Sequence, residues 1–265
     1  MSNILPATLK AMCQSRRPKF GHYVGEFLTP GIGHILAAAK CEFVFLDMEH
    51  SGFSFETLKQ SVRYFESAGV ALIVRAPSKH YDDIARVCDA GAEGIMVPMV
   101  KDAEEAASFV SFMKYPPQGG RGVALGIAHD NFYAGELPVA QRLSQANERT
   151  TGFMLIETRE GAENADAIAA TPGVDCIWIG HFDLSASLGI PGEFDHPDYR
   201  AAHDQIVEAA KRHGKSLGRL VASVDEGLAD LQQGYDFCCY GTDTMLYQRV
   251  LMQGLGELRS SAIGK

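Results

Sequence analysis

Apolar runs of strand length alternate with longer segments of helical periodicity along nearly the whole chain. The strand candidates are residues 20–25, 43–47, 71–75, 94–98, 153–157, 176–180, 217–221 and 237–241. Most are nearly continuous in apolar residues rather than strictly alternating, the pattern of parallel strands covered on both faces. The segments between them carry helix punctuation. Ser54 precedes Phe55-Glu56-Thr57-Leu58 and Gly69 closes that stretch, while Asp102 with Glu105 three residues on reads as a capping box. Another helix runs from about Pro197 through Ile206 and Ala210 to Gly214, another begins near Asp225, and a helical segment precedes the first strand. Strand-helix repetition of this kind predicts one α/β domain over residues 1–265, a (β/α)8 TIM barrel, with an open doubly wound sheet as the alternative. One connection breaks the rhythm. Residues 116–150 form an unusually long link, entered through Tyr115-Pro116-Pro117-Gln118-Gly119-Gly120-Arg121-Gly122, and a glycine-rich link of that length is expected to be a lid or binding loop.

Charge and composition narrow the partners. A net charge of -9 argues against nucleic acid or an anionic membrane as the main partner, since both reward a basic surface. The sequence has no run long and apolar enough to span a membrane and no start of signal-peptide form. Cys13, Cys41, Cys88, Cys176, Cys238 and Cys239 are scattered, without metal-binding spacing, and are expected to be reduced thiols in a cytoplasmic protein.

In a barrel, chemistry belongs at the C-terminal ends of the strands. Asp47, Glu49 and His50 follow the second strand, Arg75 ends the third, Glu157 ends the fifth and Asp183 follows the sixth. A carboxylate at the end of a buried strand is costly unless a cation or donors receive it. Glu157 and Asp183 therefore either share a divalent metal with a preference for oxygen ligands or cap the helices that follow them. Arg75 is either a substrate contact or a barrel-mouth salt-bridge partner of Asp47 or Glu49. Asp89, in a helical stretch before Ala90-Gly91, reads from the residues alone as a solvent-facing residue in a C-terminal turn. Arg121 is open between substrate and structure.

Together these residues resemble the HpcH/HpaI aldolases, class II metal-dependent 2-oxo-acid aldolases. The resemblance rests on Phe45-Leu46-Asp47-Met48-Glu49-His50, Val74-Arg75, Asp89-Ala90-Gly91-Ala92, Val97-Pro98-Met99-Val100, Tyr115-Pro116-Pro117 with Arg121-Gly122, Ile156-Glu157-Thr158-Arg159, Asp183-Leu184-Ser185 and Gly241-Thr242-Asp243-Thr244-Met245-Leu246. It implies a barrel of the phosphoenolpyruvate/pyruvate type, assembled as a hexamer (a trimer of dimers) in which a C-terminal helix is exchanged or packed on a neighbouring subunit. It further implies that Glu157 and Asp183 bind Mg2+, Mn2+ or Co2+, that Arg75 contacts the pyruvyl oxygens and that His50 forms a dyad with Asp89. Backbone amides around Phe182 and Asp183 would receive the pyruvate carboxylate.

The expected reaction is reversible cleavage of a 4-hydroxy-2-oxo acid to pyruvate and an aldehyde. Breaking that carbon–carbon bond leaves an enolate, which a divalent ion stabilises as a Lewis acid. Arg75 adds a permanent planar charge, and histidine is the side-chain type suited to taking the hydroxyl proton near neutrality, which makes His50 the candidate base, with Asp47 as a further catalytic candidate. No lysine stands at a strand end for an imine route. The same enolate chemistry would serve a CoA-ester lyase of citrate or malyl type, or an oxaloacetate decarboxylase.

The sequence departs from the family pattern at three places. Leu155 stands where glutamine is common two residues before the metal glutamate, and should lie beneath Glu157 on the same strand face. Gly180-His181-Phe182-Asp183 replaces the usual Gly-Pro-Ala-Asp, which puts His181 beside the metal site, where it either binds an acidic substrate tail, joins the coordination shell or, as favoured, packs or supports the site. Tyr23 stands where tryptophan is common. Leu155, His181, Leu220 or its neighbours, and the long loop of an adjacent subunit are expected on the aldehyde side of the substrate.

Overall fold

The structure is a computed structural model and describes residues 8–263. Its strands are β1 (Lys19–Val24), β2 (Phe43–Asp47), β3 (Ala71–Arg75), β4 (Gly94–Val97), β5 (Thr151–Ile156), β6 (Val174–Ile179), β7 (Ser216–Val221) and β8 (Phe237–Thr242). All pair in parallel with their sequence neighbours, and β8 closes on β1. The closed ring is a (β/α)8 barrel, which excludes the open sheet. The helices are α1 (Thr8–Ser15), α2 (Ile32–Ala38), α3 (Phe55–Ala68), α4 (Tyr81–Asp89), α5 (Ala103–Met113), α6 (Val139–Arg149), α7 (Arg159–Glu163), α8 (Ala165–Ala170), α9 (His181–Ser187), α10 (Pro197–Arg212), α11 (Val224–Gln232) and α12 (Asp243–Ile263).

The strands read as continuous apolar runs because each has two buried faces. Inward side chains Phe43, Phe45, Ile73, Met96, Phe153, Leu155, Trp178 and Phe237 fill the barrel, and outward ones such as Val44, Leu46, Val74, Ile95, Met154 and Ile177 pack under the helices. Space inside is rationed by residue size: Gly218 has no side chain because a Cβ there would meet the Trp178 ring at 2.1 Å. Below, Leu9 and Cys13 of α1 cap the interior, and the fully buried Lys19 ammonium donates to Asp236 at 3.0 Å and to the Met12 carbonyl. The bottom is thus a sealed plug, leaving the C-terminal mouth as the open end.

Helix caps fall where the sequence places them. Ser54 accepts from Thr57 N and Gly69 takes the left-handed C-cap of α3. Asp102 accepts from Glu105 N, but Glu105 takes its reciprocal bond from Lys101 N rather than from Asp102. The long link lies away from this chain's own mouth. It follows α5, which runs from mouth to bottom, and it leads into the base of β5, so within the chain it lies at the sealed end and is no lid over the mouth. It is also partly regular, containing α6 and a short 3-10 turn (Ala128–Asp130). Arg121, 3% exposed, stacks on Tyr115 and pairs with Asp89, so within the chain it is structural.

α12 is the exception to the layered plan. From Tyr247 onward most of its described side chains are exposed, including Tyr247, Val250, Leu251, Met252, Leu255 and Leu258. It leaves the barrel instead of folding back over β8 and β1.

Candidate active site

Alternation along the strands decides which side chains reach the mouth. Asp47 lies two residues above Phe45, Arg75 two above Ile73, Glu157 two above Leu155 and Gly180 two above Trp178, so all four form the top inward layer. Asp47 and Arg75 are register partners across β2 and β3. The Arg75 guanidinium grips Asp47 with both arms, Nε to Oδ1 at 2.7 Å and Nη2 to Oδ2 at 2.6 Å, and its Nη1 lies 3.2 Å from Glu49 Oε2. Asp47 also accepts from Tyr23 Oη at 2.6 Å and from Glu49 N at 3.0 Å. Burial alone would raise the Asp47 pKa, but the Arg75 charge and these donors hold it below its ordinary value. The salt bridge foreseen for Arg75 is therefore present, and Arg75 still lines the cavity at the mouth.

That cavity, about 200 Å³, is bounded by Arg75, Glu157, Asp183 and His50, with walls that include Tyr23, Leu155, Trp178, His181, Phe182 and Leu220. Glu157 is 3% exposed. Its Oε1 accepts from Met99 N at 2.8 Å, and Met99 holds a positive φ of 55° to present that amide, a strained backbone of the kind found at functional sites. Burial, then the nearby Asp183 carboxylate, pushes Glu157 up to about 7, with Arg75 and the Met99 bond pulling the other way. Gly180 makes room for it, since a Cβ there would meet Glu157 Oε2 at 2.3 Å. Asp183 is exposed in the first turn of α9. No Lys, Arg or His lies within ion-pair distance of either carboxylate among the described residues.

Two acidic groups facing one cavity without a counter-ion suit a hard divalent cation. No cluster of three or more His, Cys, Asp or Glu among the described residues is arranged around a metal. Mg2+-like ions are commonly held by one or two carboxylates, with water and substrate oxygens completing the shell, so the donor set of Glu157 and Asp183 fits such an ion.

The remaining candidates divide. His50 stands at the rim, 65% exposed, with Nε2 3.8 Å from Glu49 Oε2, beyond hydrogen-bond length. The His50–Asp89 dyad is not formed within the chain: Asp89 is the last residue of α4, at the sealed end, where it accepts from Arg121. The reading of Asp89 as a C-terminal-turn residue holds, though with a guanidinium partner. His181 packs between Phe182 and Phe194, and burial lowers its pKa to about 4. Phe182 is 63% exposed. The Met99 amide and the Tyr23 hydroxyl bond were not foreseen. An inward polar side chain on β1 was the available signal for Tyr23, and Met99 had none, because a backbone amide's aim depends on the loop that carries it.

Residues 28–249 match the family described as HpcH/HpaI aldolase/citrate lyase. Among curated proteins, the chain is 32% identical over 241 residues to a hydroxypyruvate/pyruvate aldolase of Chromohalobacter salexigens, covering 91% of this chain and 93% of that one. It is 31% identical over 245 residues to a 5-keto-4-deoxy-D-glucarate aldolase of Shigella boydii, covering 92% and 93%. Among solved structures, an HpcH/HpaI aldolase from Desulfitobacterium hafniense superposes with a TM-score of 0.88 at 28% identity, over 95% of this chain and 96% of that one.

Proposed function

The chain belongs to the HpcH/HpaI aldolase/citrate lyase family, and from that premise we propose that it reversibly cleaves a 4-hydroxy-2-oxo acid to pyruvate, or a close analogue, and an aldehyde. At the coarser level it is a carbon–carbon lyase of the aldolase type that acts on 2-keto acids, as its named relatives are. The observation that carries the finer reading is the meeting in one cavity of Arg75 from the end of β3, Glu157 from just past β5 and Asp183 from the first turn of α9.

Glu157 and Asp183 would hold Mg2+, Mn2+ or Co2+, which when bound supplies Lewis acidity toward the substrate's keto and carboxylate oxygens. Arg75 keeps its charge at any working pH and is fixed by Asp47, so it meets negative charge developing on the keto oxygen without reorganising. The amides of Phe182 and Asp183, in the first turn of α9, lack intrahelical acceptors and are oriented to receive a carboxylate. His50, at the open rim, takes the proton of the aldol hydroxyl. Leu155, Trp178, Leu220, Phe182 and the packed His181 wall the side where the aldehyde leaves, and they exclude water from the enolate.

The assembly is part of the same proposal. Because α12 turns away, an apolar groove of about 320 Å³ lined by Phe20, Val221, Val224, Leu228, Leu231, Cys238 and Tyr240 stays open on the outside of the barrel. Tyr247, Leu251, Leu255 and Leu258 form an apolar stripe at helical spacing on α12. A second copy's α12 covers such a groove, in a homo-oligomer up to a hexamer. A His50–Asp89 pair, if used, then forms between chains. No described helix is long and apolar enough to cross a membrane, and the six thiols are free, which supports placing the enzyme in the cytoplasm.

Exchange of pyruvate methyl protons with solvent deuterium, followed by NMR with added Mg2+ or Mn2+, tests the reading. Exchange by the parent and a loss of about 100-fold in Glu157→Gln are expected; a folded, metal-supplied parent that does not exchange would reject it. Acetyl-CoA release from a CoA ester, in place of pyruvate release, would mark the lyase alternative.

A further inference from the structure

We infer that Tyr23 is a positioning residue for this reaction, acting through Asp47 to fix the orientation in which the Arg75 guanidinium meets the substrate. The inference rests on the aldolase reading of the cavity. Its basis is the saturation of Asp47. Oδ1 accepts from Arg75 Nε at 2.7 Å and Glu49 N at 3.0 Å, and Oδ2 accepts from Arg75 Nη2 at 2.6 Å and Tyr23 Oη at 2.6 Å. A carboxylate offers about four acceptor positions, so none is left for substrate or for a moving proton. Asp47 is also 0% exposed and absent from the cavity wall. It anchors the arginine, and among the described residues Tyr23 is the one side-chain donor to it other than Arg75 itself.

Tyr23 is itself held. In the β1–β2 register it is level with Phe45, one inward layer below Asp47, so the length of its side chain carries the hydroxyl up to the carboxylate. Its ring meets Phe45 edge-on at 5.3 Å and closes over Gly25, where a Cβ would lie 2.5 Å from the ring. The Arg75 guanidinium lies over the same Phe45 ring at 5.5 Å. Three neighbouring strands are thereby tied at the mouth by one hydrogen-bonded chain. The guanidinium has a competing partner, since Nη1 already lies 3.2 Å from Glu49. Without the Tyr23 donor, Oδ2 is held by Arg75 alone, and the fork is free to tilt toward Glu49.

Tyr23→Phe keeps the ring and removes the donor. With Mg2+ and pyruvate, we expect methyl-proton exchange to fall about tenfold in kcat, with KM changed less, because misaiming a charge costs most where charge develops. The melting temperature should stay close to the parent's. In an Arg75→Lys background, which has no fork to orient, the same substitution should cost less than about twofold, as expected for coupled neighbours. A crystal structure of Tyr23→Phe should show Arg75 shifted from Asp47 toward Glu49. Undiminished exchange, equal losses in both backgrounds, or an Arg75 that keeps both bonds to Asp47 would overturn the inference. Absent exchange in the parent strikes the aldolase reading instead, and the crystal structure still decides the clamp.

Discussion

Glu157 is a buried acid with an amide donor and, among the described residues, no ion-pair partner, and that state has a thermodynamic signature. An unfolded chain releases this proton near the ordinary value of 4.5, whereas the folded chain retains it to about 7. Between those values the folded state binds more protons, so this group's contribution to stability falls as pH rises through that window and its full cost stands above it. At ~1.4 kcal/mol per pK unit the cost is about 3 kcal/mol. Glu157→Gln removes the charge and keeps an acceptor for Met99. In chelator, the variant should melt roughly 5–10 °C above the parent at pH 8, with the gap closing toward pH 5; thermal denaturation at both pH values measures it, and equal melting at pH 8 would deny the burial cost. Mg2+ should raise the parent's melting temperature and not the variant's. At this scale the sequence was informative wherever a charged residue ended an apolar run, because a charge there must face the mouth. It was silent on the Tyr23–Asp47 bond, which depends on ring length and strand register together.

Among the elements, the junction of β6 and α9 governs the site. Gly180 has φ -90° and ψ 85°, which alanine can adopt, so its requirement is spatial: the Glu157 carboxylate occupies the place of a side chain. Gly180→Ala should therefore reduce pyruvate proton exchange at least about tenfold while costing about 1–3 kcal/mol, the scale of overpacking. Activity and denaturant titrations on the same sample check both halves, and full activity would show that Glu157 needs no fixed position. The strands were legible to within a residue or two, because eight double-buried runs leave little ambiguity. The place of the link before β5 was not legible, because glycine and proline mark irregular backbone without saying which end of the barrel it occupies. That follows from direction: a connection after a helix lies at the bottom, and one after a strand lies at the top.

For the whole molecule, α12 and the apolar groove beside α11 are two unpaired surfaces of one chain. Contiguous exposed apolar area of this kind marks an association surface. Leu251→Asp with Leu258→Asp puts charge on the stripe without touching the barrel. The parent should run as an assembly, up to six times the 28.7 kDa chain, and the double variant should dissociate to smaller species by light scattering. Equal masses for the two would remove α12 from the interface.

The pattern of residues alone determined eight parallel strands covered on both faces, because nearly continuous apolar runs of strand length between helical segments suit little else, and it determined the acidic and basic groups that end those runs; that β8 closes on β1 to make a barrel rather than an open sheet was decided by the fold. Folding in three dimensions decided their partners. That Arg75 is shared between Asp47 and Glu49, that Glu157 has no ion-pair partner among the described residues and that Asp89 sits at the far end from His50 all follow from which strands become neighbours and which way each helix runs. Those are distances between positions remote in the chain, and spacing along a sequence does not carry them.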